Sequence, residues 1–104
     1  MTEIVDISTT TDDRAVAERI ARAAIDRRVA ACARIHAVDS IFRWNGAVET
    51  AAEFVVELKT TETARGAAEA LLRELHNYEL PEILVRPIIG GSQAYLDWVA
   101  SEVD

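Results

Sequence analysis

The Asn45-Gly46 pair between two long segments of strand-like composition is the feature that most constrains the fold. Both residues tolerate positive φ, as the central positions of a two-residue hairpin turn require. From Ala30 onwards small or apolar residues alternate with polar ones, and the return segment runs from Ala47 to about Thr60. Period-two alternation is typical of strands. We therefore predict one long β-hairpin.

This hairpin is too long for its own domain. Two strands of about 14 residues at about 3.3 Å each would reach about 45 Å. A compact chain of about 100 residues has a radius of gyration of about 13 Å. The hairpin should therefore overhang the domain and need another subunit to cover it. The alternation slips at Val38-Asp39-Ser40, which predicts a bulge or a bend in the first strand.

The remaining segments complete an alternating order of strands and helices. A strand that begins at Ile4 and ends in the polar run Ser8-Thr9-Thr10-Thr11 precedes a helix capped by Thr10 or Thr11 and ending near Arg28. After the hairpin, Thr60 or Thr61 should cap a second helix with an apolar stripe. A strand follows at Ile83–Ile89, and Ser92 should cap a last helix.

The resulting order is βαββαβ plus a C-terminal helix. It predicts the α+β class and a ferredoxin-like sandwich, with two helices on one face of the sheet. The 104 residues, half of them apolar, fit a single domain over residues 1–104.

Charge and composition exclude several classes of function. A net charge of −7 with dispersed arginines argues against nucleic-acid binding, because phosphate contacts need clustered Lys and Arg. No apolar run approaches the roughly 20 residues of a membrane span. The single cysteine, Cys32, fits a reducing compartment, and no signal peptide is visible. The expected location is the cytoplasm.

The segment from His76 to Glu82 is the strongest candidate for a site. It holds a histidine, a tyrosine, two carboxylates and a proline within seven residues, between the second helix and the last strand. Polar connections between regular elements are where binding sites concentrate.

Five short motifs follow one another along the chain: Ala30-Ala31-Cys32, Arg43-Trp44-x-Gly46, Lys59-Thr60-Thr61, His76-x-Tyr78-Glu79-x-Pro81-Glu82 and Gly90-Gly91-Ser92-x-Ala94-Tyr95-Leu96-Asp97-Trp98. With these motifs in this order, the chain resembles the CutA divalent-cation tolerance family from about Ile4 to Val99.

The resemblance implies a ferredoxin-like protomer in a compact homotrimer similar to the PII-like signalling trimers, with hairpins that pair with neighbouring subunits. It also implies binding of divalent metal ions, copper foremost, and a role in metal tolerance. It implies no enzymatic reaction. Two positions depart from the family pattern: Asn77 replaces the usual proline, which should loosen the segment, and Arg34 adds a cation unfavourable to a nearby metal.

The predicted metal ligands are His76, Glu79 and Cys32. Imidazole suits divalent copper and thiolate suits Cu(I). The competing interpretations are a histidine that interacts with a helix C-terminus and a small core cysteine. His36 shares a strand face with Arg34, and we expect it to be a solvated surface residue.

The other candidates are expected in a cleft or a subunit interface. Glu79 and Glu82 could contribute to a cation site or to inter-subunit ion pairs with Lys59 or Arg86. Tyr and Trp are enriched at interfaces, and the four aromatic residues in question are Trp44, Tyr78, Tyr95 and Trp98. The alternative function is a PII-like sensor or adaptor that binds a small metabolite and an unidentified protein partner. An enzyme that uses His76 and Glu79 as acid and base ranks last, because the sequence shows no nucleophile, oxyanion donors or metal triad.

Overall fold

The computed structural model of the protein describes residues 3–104 as four strands and three helices. The elements are β1 (Ile4–Thr11), α1 (Arg14–Asp26), β2 (Cys32–Trp44), β3 (Ala47–Thr61), α2 (Arg65–Leu75), β4 (Leu84–Ile88) and α3 (Gln93–Glu102). The predicted order of elements and the α+β class are confirmed.

The four strands form one antiparallel sheet in the order β2-β3-β1-β4. Alternate residues of β1 and β3, among them Ile7 and Leu58, pack with Ile20 of α1 and Leu72 of α2 into one buried core. These two helices therefore cover one face of the sheet, as the ferredoxin-like pattern predicts. We call the opposite face, which carries Asp6 on β1, the second face.

The hairpin is continuous, so the bulge predicted at Val38-Asp39-Ser40 as one of two alternatives is wrong. Every residue of β2 from Cys32 to Trp44 has one partner on β3, from Lys59 to Ala47, without interruption. The hydrophobic pattern slips for another reason. Residues 41–50 are all exposed, so within one chain nothing selects an inward-facing side.

The far half of the hairpin stands free of the rest of the sheet. β1 pairs with β3 only as far as the Thr11–Phe54 pair, so residues 38–53, hereafter the arm, form a two-stranded ribbon. Asn45 and Gly46 close it at positive φ, 49° and 80°. The longest dimension of the chain is 45 Å, against 25 and 21 Å for the other two. The predicted overhang is confirmed.

Two predicted helix caps are displaced by a few residues. Thr11 belongs to β1, and α1 is capped by Asp13, whose side chain accepts from Ala15 N at 2.9 Å. α1 ends at Asp26 rather than near Arg28. α2 begins at Arg65, preceded by a turn in which Thr61 Oγ1 accepts from Ala64 N at 3.2 Å. A threonine hydroxyl bonds as readily within a turn as at a cap.

The other boundaries agree closely with the predictions. β4 is one residue shorter at each end than Ile83–Ile89. Ser92 caps α3 as expected, since its Oγ accepts from Tyr95 N at 3.3 Å. Between residues 3 and 104, no helix is long and apolar enough to cross a membrane.

Candidate functional site

The segment His76–Glu82 covers the part of β1 that β4 leaves unpaired. β4 pairs with β1 only as far as the Ser8–Leu84 pair, so the last three residues of β1 lack a neighbouring strand on that side. Thr10 Oγ1 donates to Glu82 Oε2 at 2.9 Å. The segment is thus fixed to the end of β1, and its polar residues meet there.

Asn77 strengthens this attachment. Thr11 Oγ1 donates to Asn77 Oδ1 at 2.6 Å, and Asn77 Nδ2 donates to Asp12 Oδ1 at 2.9 Å. These two hydrogen bonds oppose the loosening expected from the missing proline. The Asn77 amide supplies an acceptor and a donor, whereas a proline side chain has neither.

His76 uses both of its ring nitrogens within the chain. Nδ1 accepts from the backbone N–H of Tyr78 at 2.9 Å, so Nε2 carries the proton and donates to Thr10 O at 3.1 Å. Burial lowers the pKa of His76, although a hydrogen bond to Thr10 and the nearby carboxylates of Asp12 and Glu53 act in the opposite direction. The ring is a neutral, oriented imidazole.

Tyr78 connects the segment to the base of the arm. Its hydroxyl donates to Glu53 Oε2 at 2.6 Å. Burial, followed by the hydrogen bond to Glu53, raises the pKa of Tyr78 well above its usual value. The phenol therefore stays protonated and serves as a hydrogen-bond donor rather than as a proton-transfer group.

One chain does not bring the three predicted metal ligands together. His76 lies beside Thr10 near one end of β1, and Glu79 is exposed. In the sheet, Cys32 of β2 lies opposite Lys59 of β3, and Lys59 lies opposite Asp6 of β1. Asp6 is four residues from Thr10 along β1. Across residues 3–104, no group of three or more His, Cys, Asp or Glu side chains can hold a metal ion.

The predicted charged partners have other neighbours within the chain. Lys59 Nζ lies 3.1 Å from Asp6 Oδ1 and 3.7 Å from Glu57 Oε2 on the second face. Arg86 Nη1 donates to Ser8 Oγ at 3.0 Å. Neither cation pairs with Glu79 or Glu82 in a single chain.

The candidate aromatic residues and histidines occupy separate places. Trp44 lies at the tip of the arm, whereas Tyr95 and Trp98 are partners on α3 with ring centroids 5.6 Å apart. Tyr78 lies against His76, with 5.0 Å between the ring centroids. His36 is exposed, as expected, and its Nδ1 lies 3.7 Å from Glu57.

Sequence reasoning missed Glu53 and Thr10. Glu53 is only 7% exposed although it lies in the exposed arm, and Thr10 supplies both a hydroxyl and a carbonyl to the segment. Neither residue belongs to a motif, and both meet the segment only because α2 returns the chain to the end of β1.

Fold and site together define a class: a ferredoxin-like α+β protein with an overhanging hairpin and a polar segment that closes the end of the first strand. The family model for the CutA1 divalent ion tolerance protein matches residues 5–102. The chain belongs to this family.

Individual relatives agree with that assignment. The divalent-cation tolerance protein CutA of Thermus thermophilus is 38% identical over 100 residues, covering 95% of each chain. The mouse protein CutA is 36% identical over 81% of this chain, which spans only 48% of the mouse protein. The CutA structure from Synechococcus elongatus superposes with a TM-score of 0.94 at 34% identity, covering 100% of this chain and 93% of that one.

Proposed function

We propose that this chain functions in divalent metal-ion tolerance as a homotrimer of the PII-like type, with copper as the foremost ligand, bound between subunits. Family membership supports the role in tolerance. The single observation that supports assembly is the arm, which extends from the sheet with no third strand beside it among the described residues. On this proposal the protein catalyses no reaction, and its histidine and carboxylates serve binding.

The exposed side chains of the arm favour a second copy as its cover. Ile41 is 75% exposed and Val48 is 63% exposed, and Phe42 and Trp44 are also accessible. Ile41 and Val48 lie on one face of the ribbon, and Phe42 and Trp44 lie on the other. Exposed apolar surface on both faces favours an interaction site. A two-stranded ribbon is marginal alone and becomes stable when further strands or surfaces pack on it.

The mass of the protein in solution tests the trimer. Sedimentation or light scattering at micromolar concentration should give three times the chain mass of 11.5 kDa. Ile41→Asp together with Val48→Asp places charge on the arm and should shift the mass towards the monomer. A monomeric wild type would contradict both the trimer and the inter-subunit site.

In the proposed metal site, His76 and Glu79 come from one subunit and Cys32 comes from another, because Cys32 and His76 lie apart within one chain. A metal at His76 must replace either the Tyr78 amide at Nδ1 or the Thr10 carbonyl at Nε2. Cu(II) provides the affinity for such an exchange, since it lies at the top of the series of divalent first-row metals.

Copper titration by calorimetry tests the ligands. His76→Ala should weaken Cu(II) binding at least tenfold, and Cys32→Ser should weaken it if the thiolate is a donor. His36→Ala is the matched control, because exposed histidines bind Cu(II) nonspecifically. Equal isotherms for wild type and His76→Ala would remove His76 from the site.

The second candidate is a PII-like sensor or adaptor for an anionic metabolite and a partner protein. On the second face, Lys59 is paired with Asp6 and Glu57. Arg34 and Arg86 lie on the same face, and an anion would be attracted to their charges. A specific ligand raises the melting temperature by mass action. Thermal-shift measurements with anionic metabolites on wild type and Arg34→Gln test this alternative.

The proposed location is the cytoplasm, because Cys32 is a free, half-buried thiol of a kind typical of reducing compartments. One related structure is described as the periplasmic divalent cation tolerance protein CutA of Archaeoglobus fulgidus. Fractionation of cells that express the chain tests this assignment, and recovery in an extracytoplasmic fraction would contradict it.

A further inference from the structure

We infer that Tyr78 is a positioning residue for the arm, because its hydroxyl holds the buried Glu53 and thereby sets the direction in which the arm leaves the sheet. The consequence for assembly rests on the proposed trimer. The hydrogen bond between Tyr78 and Glu53 lies within a single chain.

The burial of Glu53 marks the contact as specific. Glu53 is 7% exposed, whereas residues 41–50, farther along the arm, are all exposed. A buried carboxylate is unfavourable unless it accepts hydrogen bonds. The Tyr78 hydroxyl supplies one at 2.6 Å, and O–H···O⁻ bonds of this length are among the stronger hydrogen bonds in proteins.

The arm needs a fixed base because, within residues 3–104, no third strand extends past the Thr11–Phe54 pair. Two-stranded ribbons twist more than wider sheets. Seven residues on each side reach about 23 Å at about 3.3 Å per residue, so a rotation of about 10° at the base moves the tip by about 4 Å. Such a displacement is enough to separate two packed surfaces.

On each face of the sheet, one side chain from outside the hairpin contacts the base of the arm. Successive residues of a strand point to opposite faces, so Glu53 and Phe54 lie on opposite sides of β3. The Arg14 guanidinium lies 5.5 Å from the centroid of the Phe54 ring on the helix-covered face. Tyr78 provides the corresponding contact on the second face.

Tyr78 is itself positioned by the segment His76–Glu82. Its backbone N–H donates to His76 Nδ1, and the neighbouring Asn77 is bonded to Thr11. The direction of the arm is therefore linked to the place of the segment on β1. A ligand that displaces the Tyr78 amide from His76 would act on the arm through Tyr78.

Hydrogen exchange on the full chain tests the inference. Tyr78→Phe keeps the ring and removes only the hydroxyl. Amides of residues 38–53 should exchange about tenfold faster, as expected for one lost hydrogen bond to a charged group, while amides of residues 4–11 keep their rates. The subunit dissociation constant should rise by a similar factor. Tyr95→Phe removes a hydroxyl on α3 and is the matched control.

Variants of Glu53 separate positioning from general destabilisation. Glu53→Gln retains a carbonyl acceptor for Tyr78 and should preserve most of the protection of the arm. Glu53→Ala should reproduce Tyr78→Phe, and the double variant should add nothing further, because both changes remove the same interaction.

Unchanged arm exchange in Tyr78→Phe, or fully additive effects in the double variant, would overturn the inference. A monomeric wild type would refute the proposed assembly instead. Exchange in the arm of that monomer would still decide whether Tyr78 positions it.

Discussion

His76 shows how burial and hydrogen bonding together assign a protonation state. Its Nδ1 accepts an amide proton and its Nε2 donates to a carbonyl, so the neutral ring satisfies both partners. A second proton on Nδ1 would face the N–H of Tyr78. These hydrogen bonds favour the neutral ring, and so does the lowered pKa of His76, whose main cause is burial.

Stability should fall as the pH drops below about 6.5, the unperturbed pKa of histidine. Because the folded-state pKa of His76 is lowered, the unfolded chain binds more protons in this range, and stability is lost as the pH falls through the folded-state pKa. Urea unfolding between pH 7.5 and 5 should show this loss.

His76→Gln should flatten that dependence, because its amide can still donate to Thr10 without titrating. His36→Gln, at an exposed position, is the control for the exchange of a histidine for glutamine. A His76→Gln variant with the same slope as wild type would contradict the assignment of the dependence to His76.

Two buried threonines of the core differ in one hydrogen bond. Both are fully buried. Thr60 Oγ1 donates to Val29 O at 2.6 Å, whereas Thr9 Oγ1 finds no partner between residues 3 and 104. Thr9→Val should therefore raise the free energy of unfolding by about 1 kcal/mol, and Thr60→Val should lower it by about 1–2 kcal/mol. Chemical denaturation of both variants measures the difference, and destabilisation by Thr9→Val would contradict this reasoning.

At the scale of elements, the hairpin turn depends on backbone conformation more than on contacts. Gly46 has φ 80°, and a Cβ added there meets no atom within 4 Å. Gly46→Ala should therefore cost about 1 kcal/mol through the left-handed backbone alone.

Gly66→Ala is the opposite case and serves as the control. Gly66 lies in the first turn of α2 and also has free space for a Cβ. Alanine should stabilise the protein there by about 0.5–1 kcal/mol. Thermal unfolding of both variants tests the two predictions. A change in melting temperature of the same sign for both variants would contradict them.

At the scale of the whole molecule, the dimensions favour assembly. The chain measures 45 Å along its longest axis, and its radius of gyration of 14.3 Å exceeds the value of about 13 Å expected for a compact chain of this length. If the arms are covered in a trimer, the melting temperature should rise with protein concentration, because dilution favours dissociation. Wild type should show this rise over a hundredfold range. The Ile41→Asp and Val48→Asp double variant should lose it, and a concentration-independent wild type would contradict the trimer.

The sequence alone was sufficient for the order of elements and for the hairpin, because both depend on local physics. Asn45-Gly46 specifies its turn through tolerance of positive φ. Ser92 caps α3 through a bond to a backbone N–H three residues away. Such signals act over a few residues and can be read directly from the sequence.

Local signals failed where one group had several available partners. Thr11 and Thr61 could cap helices, but Thr11 is paired in β1 and Thr61 bonds within a turn. Asn77 was expected to loosen its segment because a proline was absent, and only the fold showed that Thr11 and Asp12 bind it.

Tertiary structure alone decided the composition of the site. The sequence identified His76 and Tyr78, but their partners Thr10 and Glu53 lie 66 and 25 residues away and carry no motif. The fold also separated Cys32 from His76, because Cys32 lies at the level of Asp6 in the sheet, whereas His76 contacts Thr10, four residues farther along β1. The physical reason is that turns and caps depend on neighbouring residues, whereas a site depends on which distant residues the sheet register brings together.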